Sequence, residues 1–171
     1  MGSAGDVTMG AGASAPPDAS YGGPVMIHRG MRRSEREITD EGEIDGILSR
    51  AAVCRVAMCR DGEPYLVPLC FGRDGDRLYF HCAREGLKLD ILRENPRVCF
   101  EVEDGVEVVD TGRPCDWRMT YRSVIGFGQA TIVEDPSEKR YALNVLVGHY
   151  SAGPYEFPDD EIERTGIIRI D

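Results

Sequence analysis

The sequence predicts a mainly β fold, a small antiparallel β-barrel of six or seven strands with flanking helices. Short runs rich in β-branched and aromatic residues recur along the chain, and Asp-Gly pairs typical of hairpin turns separate the first three runs. Helical patterns lie outside this series of runs. No G-x-G-x-x-G turn opens a helix, so a Rossmann nucleotide site is not indicated.

Composition divides the chain into a tail and one domain. Residues 1–30 contain seven Gly, five Ala, three Ser and three Pro without a periodic apolar pattern. We predict a flexible tail there, either native or left from cloning, because such a segment cannot offset the entropy cost of ordering. Residues 31–171 have the length and apolar content of a single domain.

The first two helices are predicted from their end signals. Asp40 followed by Glu43 is typical of a helix start and predicts a helix near 41–52. A short helix over 86–93 stops before Pro96, which disfavours helical backbone in the residue that precedes it.

The third helix is predicted to begin after Asp135, with Pro136 in its first turn, and to end near residue 150. Its inward face is expected to hold Tyr141, Val145 and His149. We expect His149 to be packed in the core rather than exposed at a subunit contact.

The strands are predicted as an antiparallel meander followed by longer strands and a last short one. Gly126 and Gly128 interrupt the longest run, and glycine inside a strand suggests a bend or a close approach by another group. The predicted strands are 53–59, 65–71, 78–82, 98–102, 106–109, 121–133 and 166–170.

Charge and hydropathy exclude two classes of partner. Acidic residues outnumber basic ones by 30 to 20, for a formal charge of −10 and a pI near 4.8. This sign argues against nucleic-acid binding. No apolar run approaches the roughly 18–20 residues that span a bilayer, and because no basic stretch followed by an apolar one is seen near the N-terminus, we expect no secretion signal. We expect a soluble, cytoplasmic protein that does not contact membrane.

The cysteines are expected to be reduced, buried thiols. No two are spaced as C-x-x-C, so zinc-ligand spacing is absent and no metal site is expected. The six are Cys54, Cys59, Cys70, Cys82, Cys99 and Cys115.

Lys88 is the first candidate functional residue. The chain has two lysines, Lys88 and Lys139, against eighteen arginines. Lys88 lies in the first turn of the predicted second helix, where free backbone N–H groups and the helix dipole favour an anion. Two interpretations remain open: a phosphate subsite, or a solvated surface lysine.

His81 is the second candidate. Alternation along its strand places Phe80 and Cys82 on one face and Tyr79, His81 and Ala83 on the other. The imidazole therefore points away from the most apolar face, toward a pocket or a subunit contact. A role in proton donation or ligand contact competes with that of a hydrogen-bonded structural histidine.

Pro68 and Ser123 mark two further strands. Pro68 lacks the N–H that a central strand needs, so one strand edge is open there or the chain is bulged. An open edge would bind a planar heterocycle or form a subunit interface. Ser123 lies in the longest run near Trp117, Arg118 and Tyr121, a mixture typical of a barrel edge or a subunit contact.

A series of short motifs runs in order through the domain. They are Met31-Arg32-Arg33, Arg36-Glu37-Ile38, Pro64-Tyr65-Leu66-Val67-Pro68-Leu69, Phe80-His81-Cys82-Ala83, Gly86-Leu87-Lys88, Asn95-Pro96-Arg97-Val98 and Tyr121-Arg122-Ser123-Val124-Ile125-Gly126-Phe127-Gly128. Together they resemble the FMN-binding split-barrel proteins. The branch that they resemble most is related to pyridoxamine 5'-phosphate oxidase and described as 5-nitroimidazole-resistance-like. The resemblance covers about residues 31–170.

The resemblance implies a six-stranded split barrel that dimerises, with one FMN at each end of the shared interface. Strand 66–69 would lie along the isoalloxazine ring and bond its polar edge through backbone groups. His81 and Cys82 match ring-side and phosphate-side positions, Lys88 the phosphate-binding lysine, and Ser123 a polar contact to the ring. The implied cofactor-binding residues are Leu66, Val67, Pro68, Leu69, His81, Cys82, Lys88 and Ser123.

The chain also departs from the oxidase pattern. Leu66, Phe71 and Leu87 are apolar where the oxidases resembling this chain have basic residues, and the chain ends at Asp171 without their C-terminal basic and aromatic set. The FMN phosphate would therefore have fewer cationic partners, and each lost charged hydrogen bond costs about 1.5–3 kcal/mol. Oxidation of a vitamin B6 phosphate is therefore not expected, and FMN would be held weakly.

These observations favour a homodimeric, FMN-dependent oxidoreductase that reduces small, flat, electron-poor compounds, with nitroaromatics as one candidate class. His81 would be the catalytic residue beside the reactive edge, as proton donor or substrate contact. The alternative is a non-catalytic module of the same fold that holds FMN, another flavin, or haem through a histidine.

Overall fold

An eight-stranded sheet carries the fold of this computed structural model, which describes residues 4–9, 31–153 and 155–171. The strands are β1 (Ala4–Met9), β2 (Cys54–Arg60), β3 (Glu63–Leu69), β4 (Gly72–Asp74), β5 (Arg77–Cys82), β6 (Arg97–Val109), β7 (Arg118–Val133) and β8 (Gly166–Ile170). The helices are α1 (Glu41–Arg50), α2 (Leu87–Glu94), α3 (Pro136–Tyr150) and α4 (Asp159–Arg164), and 3₁₀ turns cover Ser34–Arg36 and Pro114–Asp116.

Seven strands follow one antiparallel path, in the order β3-β2-β6-β7-β8-β5-β4. Strand β7 belongs to both halves of this path, because it pairs with β6 as far as Gln129 and with β8 from Ala130 to Val133. The predicted mainly β fold with flanking helices is confirmed.

The predicted meander of the first three strands is wrong. The run 65–71 is interrupted: β3 ends at Leu69, and β4 begins at Gly72. Phe71 between them is fully buried, and its N–H donates to Tyr150 Oη at 2.9 Å, so the chain turns toward α3 instead of continuing the sheet. As a result β2–β3 and β4–β5 are separate hairpins, and β5 takes β8 as its second neighbour.

Helix ends follow the predicted signals. The Asp40 carboxylate accepts the Glu43 N–H at 2.8 Å and caps α1, and Asp135 caps α3 by accepting the Glu138 N–H at 2.8 Å. Helix α2 begins after Gly86 without any side-chain cap. Helix α4 was not predicted from the sequence.

The predicted inward face of α3 is wrong at Tyr141. Lys139, Ala142 and Leu146 are the buried residues of this helix, and their i, i+3, i+7 spacing defines the face that packs on the sheet. Tyr141 is exposed, and its hydroxyl donates to Asp74.

His149 is half-buried at the other end of α3. Its Nε2 donates to the Ala51 carbonyl at 2.8 Å, and its ring centroid lies 4.4 Å from that of Phe71. The expected packing of His149 is thus found, at the edge of the core and with a backbone partner.

The glycines of the longest strand accommodate close approaches, as predicted. A Cβ on Gly126 would lie 2.2 Å from the Phe100 ring, and one on Gly128 would lie 2.6 Å from the Asp171 carbonyl oxygen. The two predicted strands 98–102 and 106–109 form one strand, β6, with a register shift after Asp104.

Two apolar clusters fill the fold. The larger lies between the strands and includes Cys54, Phe80 and Val102. The smaller lies under α3 and comprises Tyr79, Val133, Ala142, Leu146 and Ile167.

Part of the predicted tail belongs to the sheet. Residues 4–9 form β1, which runs parallel to β7 with Ala4 opposite Thr120 and Met9 opposite Ile125. The other residues of the predicted tail lie outside the described residues, and the division into a tail and a domain stays a prediction. No helix within the described ranges is long and apolar enough to cross a membrane.

Candidate functional site

Strand β5 carries His81 and Cys82 at its C-terminal end. Phe80 points into the larger core, and Tyr79 is buried under α3, so both faces of the strand are covered in its middle. His81 lies beyond this covered part, opposite Ile167 of β8, and its side chain is exposed. No hydrogen bond or ion pair joins His81 to the described part of the chain, which leaves both ring nitrogens open to a ligand.

Cys82 lies half-buried next to Gly166, its partner in the β5–β8 ladder. A Cβ on Gly166 would lie 3.1 Å from Cys82 Sγ and 2.7 Å from the Ala83 carbonyl oxygen. Burial raises the pKa of the Cys82 thiol, whereas the positive charges of Lys88 and Lys139 lower it. The thiol therefore lies within electrostatic reach of both lysines of the chain.

The N-terminus of α2 faces the loop that follows β5. Gly86 precedes the helix with φ 127°, a backbone conformation that side-chain-bearing residues rarely adopt. Its carbonyl accepts the N–H groups of Leu89 and Asp90 at 2.9 and 3.2 Å, but those of Leu87 and Lys88 have no backbone acceptor among the described residues. An aspartate side chain caps the starts of α1 and α3. The start of α2 has no such cap, so its backbone N–H donors stay free at the positive end of the helix dipole.

Lys88 is half-buried in this first turn. Within the described ranges no carboxylate lies within the 4.0 Å of an ion pair from its ammonium. Its helix neighbour Arg93, in contrast, forms an ion pair with Asp90 at 2.9 Å. The Lys88 charge is thus available to an added anion.

Lys139 is a buried charged residue that the sequence analysis did not single out. It is only 6% exposed, and its Nζ donates to the Thr165 carbonyl at 3.1 Å. The signal was present: Lys139 is one of two lysines and shares the helical spacing of Ala142 and Leu146, the apolar face of α3.

Strand β3 is an edge strand, which agrees with the open edge expected at Pro68. Within the described part of the chain it pairs with β2 alone. Leu66 is 57% exposed, whereas Val67 and Leu69 are half-buried and pack against the core. The backbone of 66–69 is therefore what this strand offers to a ligand on its open side.

Ser123 is not brought to β3 by a single chain. It is buried in β7 opposite Glu103 of β6, and β2 and β6 both intervene between β7 and β3. At the usual strand spacing this separation is about 14 Å across the sheet. Ser123 and strand 66–69 do not line one site within this chain.

The apolar positions that replace the basic residues of the oxidases differ in environment. Leu66 and Leu87 are exposed, whereas Phe71 is fully buried. A charged group would be excluded from the position of Phe71 by the packing of the core.

Other features lie away from these residues. An open groove of about 460 Å³, with Arg73 and His149 in its lining, lies at the β4–β5 turn, the opposite end of β5 from His81. All six cysteines are free, but Cys70 and Cys115 are exposed, so their predicted burial is wrong. The described ranges contain no group of His, Cys, Asp or Glu side chains placed to hold a metal ion.

A family model described as pyridoxamine 5'-phosphate oxidase matches residues 40–171, from the cap of α1 to the end of the chain. The chain belongs to this family. The resemblance seen in the sequence motifs is thereby confirmed. A curated relative, an uncharacterized protein of Rhizobium meliloti (strain 1021), is 35% identical over 77 residues, which are 42% of this chain and half the length of that relative.

Two solved structures are similar in fold to this member of the pyridoxamine 5'-phosphate oxidase family. A candidate 5-nitroimidazole antibiotic resistance protein of Bacteroides thetaiotaomicron superposes with a TM-score of 0.70 at 30% identity, over 78% of this chain and 80% of that one. An FAD- and haem-binding protein of Mycobacterium smegmatis superposes with a TM-score of 0.68 at 26% identity, over 77% and 66% of the two chains. The split-barrel fold is confirmed by these likenesses.

Proposed function

We propose that this protein binds FMN and uses it to reduce small, flat, electron-poor organic compounds, nitroaromatics among them. The observation that carries the proposal is the uncapped N-terminus of α2. Free N–H groups, a helix dipole and the unpaired ammonium of Lys88 converge there, one short loop after His81 and Cys82. In a chain of formal charge −10, a dianionic phosphate needs such a local concentration of positive charge.

The residues of this end of the barrel fit the parts of FMN. Backbone N–H groups of Leu87 and Lys88 and the Lys88 side chain would hold the phosphate. The open edge of 66–69 offers backbone donors and acceptors to the polar edge of the ring. Bound FMN supplies the electron transfer, and the chain supplies position and polarity.

His81 is the side chain placed for proton transfer. Its imidazole is exposed at the end of β5 and has no partner in the described residues, so it would hold a proton at a ring nitrogen and donate it to a bound substrate. The adjacent Phe80 is buried in the larger core and anchors this strand.

The site is proposed to be completed in a cytoplasmic homodimer. A single chain leaves β3 open and Ser123 about 14 Å away from it. A second copy that lays its β7 near this open edge would contribute its Ser123 to the ring if β1, which pairs with β7 from Thr120 to Ile125, is displaced from that stretch. Such an arrangement would cover exposed apolar side chains of the sheet, namely Leu66, Phe127, Val108 and Met119.

A non-catalytic module that binds a flavin or haem is the second candidate. The free ring nitrogens of His81 would suit a haem iron, and one structural relative is an FAD- and haem-binding protein. Oxidation of pyridoxamine 5'-phosphate itself is not proposed, because Leu66 and Leu87 are apolar where the oxidases that the chain resembles have basic residues.

Visible absorption of the purified protein after incubation with FMN tests the proposal. We expect flavin bands that shift when FMN binds the protein, are bleached by NAD(P)H and return on addition of a nitroaromatic acceptor. Flavin bands that no donor and acceptor can cycle would support the non-catalytic module. A Soret band after haem addition would support haem binding, and a protein that stays colourless with FMN would refute the flavin proposal.

Gel filtration with light scattering tests the shared site. A dimer whose FMN occupancy falls in Ser123→Val would support the contribution of the second copy. A monomer that binds FMN as well as the dimer would contradict it.

A further inference from the structure

Lys139 is a buried charge that the proposed flavin site does not use. Its side chain is only 6% exposed, and the Thr165 carbonyl is the acceptor for its Nζ. No carboxylate of the described residues lies within ion-pair distance of it. A buried ammonium that has a neutral partner alone costs free energy of desolvation, which a neutral side chain of similar length would avoid.

The position of this charge is set by three elements. Thr165 follows α4 as its C-cap, and the next residue, Gly166, begins β8 and pairs with Cys82 at the end of β5. Cys82 Sγ lies against Gly166, because a Cβ there would be 3.1 Å from the sulfur. Lys139 Nζ therefore lies near the end of β5, and a short loop leads from there to the start of α2.

Both lysines act on the Cys82 thiol. Lys88 approaches from the first turn of α2, and Lys139 from beneath α3, and both charges act on Cys82. A charge in the protein interior is screened less than one in water, so Lys139 projects a positive potential farther than an exposed lysine would.

We propose that Lys139 is an electrostatic positioning residue of the anion subsite at the start of α2. Its uncompensated charge raises the positive potential there and strengthens binding of a phosphate group that it does not touch. The proposal rests on the proposed function, since it names FMN phosphate as the anion. In the protein without any ligand, the charge of Lys139 makes the electrostatic potential at Cys82 more positive.

A purely structural role is the competing explanation. The hydrogen bond to Thr165 ties α3 to the end of α4, and that bond alone would account for a lysine at this position. Lys139→Gln separates the two roles, because its amide can still donate to the Thr165 carbonyl but carries no charge. Lys139→Arg is the matched variant that keeps the charge.

The experiment uses Cys82 as a local reporter. The ligand-free full chain is alkylated with iodoacetamide across a pH series, and modification of the Cys82 peptide is followed by mass spectrometry. FMN affinity is measured in parallel by quenching of flavin fluorescence. Thermal unfolding identifies the variants that are folded.

We expect Lys139→Gln to slow alkylation of Cys82 at pH 8 by about threefold or more and to weaken FMN binding by a similar factor. Lys139→Arg is expected to keep both within about twofold of the wild type. Lys88→Gln calibrates the reporter, because loss of the other nearby charge must also slow the reaction.

A folded Lys139→Gln protein whose Cys82 reacts as in the wild type would overturn the inference, whatever its FMN affinity. If the Gln variant does not fold, Lys139→Met replaces it, and failure of both neutral variants to fold would assign Lys139 to stability alone. A wild type that binds no FMN would refute the proposed function, while the Cys82 profile would still decide whether Lys139 sets the potential.

Discussion

The two lysines of this chain lie at the same end of the barrel in opposite environments. Lys88 is half-buried in the first turn of α2 and has no ion-pair partner among the described residues. Lys139 is buried under α3 and donates to the carbonyl of Thr165. The first is open to an added ligand, whereas the second is already part of the protein interior.

A count of charged residues in the sequence does not assign roles to them. From the sequence alone, Lys139 is the natural control for Lys88, since both are lysines near helix starts. The structure makes it an unsuitable control, because its removal disturbs the packing of α3. Arg93, which is ion-paired on the same helix as Lys88, is the better matched charge.

The largest effect is expected from Lys139→Ala on stability. Loss of a buried, charge-assisted hydrogen bond and of the packed stem should lower the free energy of unfolding by about 2–3 kcal/mol. Urea denaturation of the two alanine variants checks this, and Lys88→Ala should stay within about 0.5 kcal/mol of the wild type. Equal losses of unfolding free energy in Lys139→Ala and Lys88→Ala would contradict the different environments of the two lysines.

The next effect is expected from Lys88→Ala on FMN binding. Removal of one charged contact to the phosphate should weaken the affinity by about 10- to 100-fold, that is by about 1.4–2.7 kcal/mol. Arg93→Ala removes a positive charge from the same helix and should change the affinity by less than about twofold. Fluorescence titration measures both, and equal losses would refute the phosphate assignment.

A third effect concerns a thiol on which neither lysine acts. Burial, the largest cause, raises the pKa of Cys54 from 9.0 to about 12. Because the pKa of Cys54 is higher in the folded state than in the unfolded state, the protonated thiol stabilises the fold. This contribution to the free energy of unfolding is complete below pH 9 and is lost as the pH rises toward 12.

Between pH 8 and pH 10 the titration of Cys54 should therefore lower the free energy of unfolding by about 1.4 kcal/mol, and the non-titrating variant Cys54→Val should not show this loss. An equal loss of unfolding free energy in Cys54→Val would indicate that another titrating group determines the stability between pH 8 and pH 10.

The smallest effect is expected from adding a charge beside Lys88. Leu87 is 48% exposed at the start of α2, so Leu87→Arg can reach a bound phosphate without disturbing the core. The affinity for FMN should rise about two- to fivefold, the size of an exposed charge–dipole contribution. An unchanged affinity would indicate that the phosphate lies elsewhere.

Local signals in the sequence predicted the elements well. Asp40 and Asp135 each cap a helix through the N–H three residues later, as their spacing indicates, because capping depends on neighbours in the chain. Such features need no knowledge of how distant segments meet.

Long-range features were not predictable in the same way. The pairing of β5 with β8 joins residues almost ninety positions apart, and Cys82 meets Gly166 through it. The burial of Lys139 follows from that pairing and from the packing of α3 on it. Alternation along β5 placed His81 correctly on the face opposite Phe80, but it could not show that Tyr79 on the same face as His81 is covered by α3.

The affinity of the wild type for FMN relative to riboflavin tests the central claim most directly, since the two ligands differ only in the phosphate. We predict that the wild type binds FMN at least about tenfold more tightly than riboflavin, and that Lys88→Ala lowers this preference while riboflavin affinity stays the same. Equal affinities of the wild type for both ligands, or an equal loss for both in Lys88→Ala, would contradict a phosphate subsite at the start of α2.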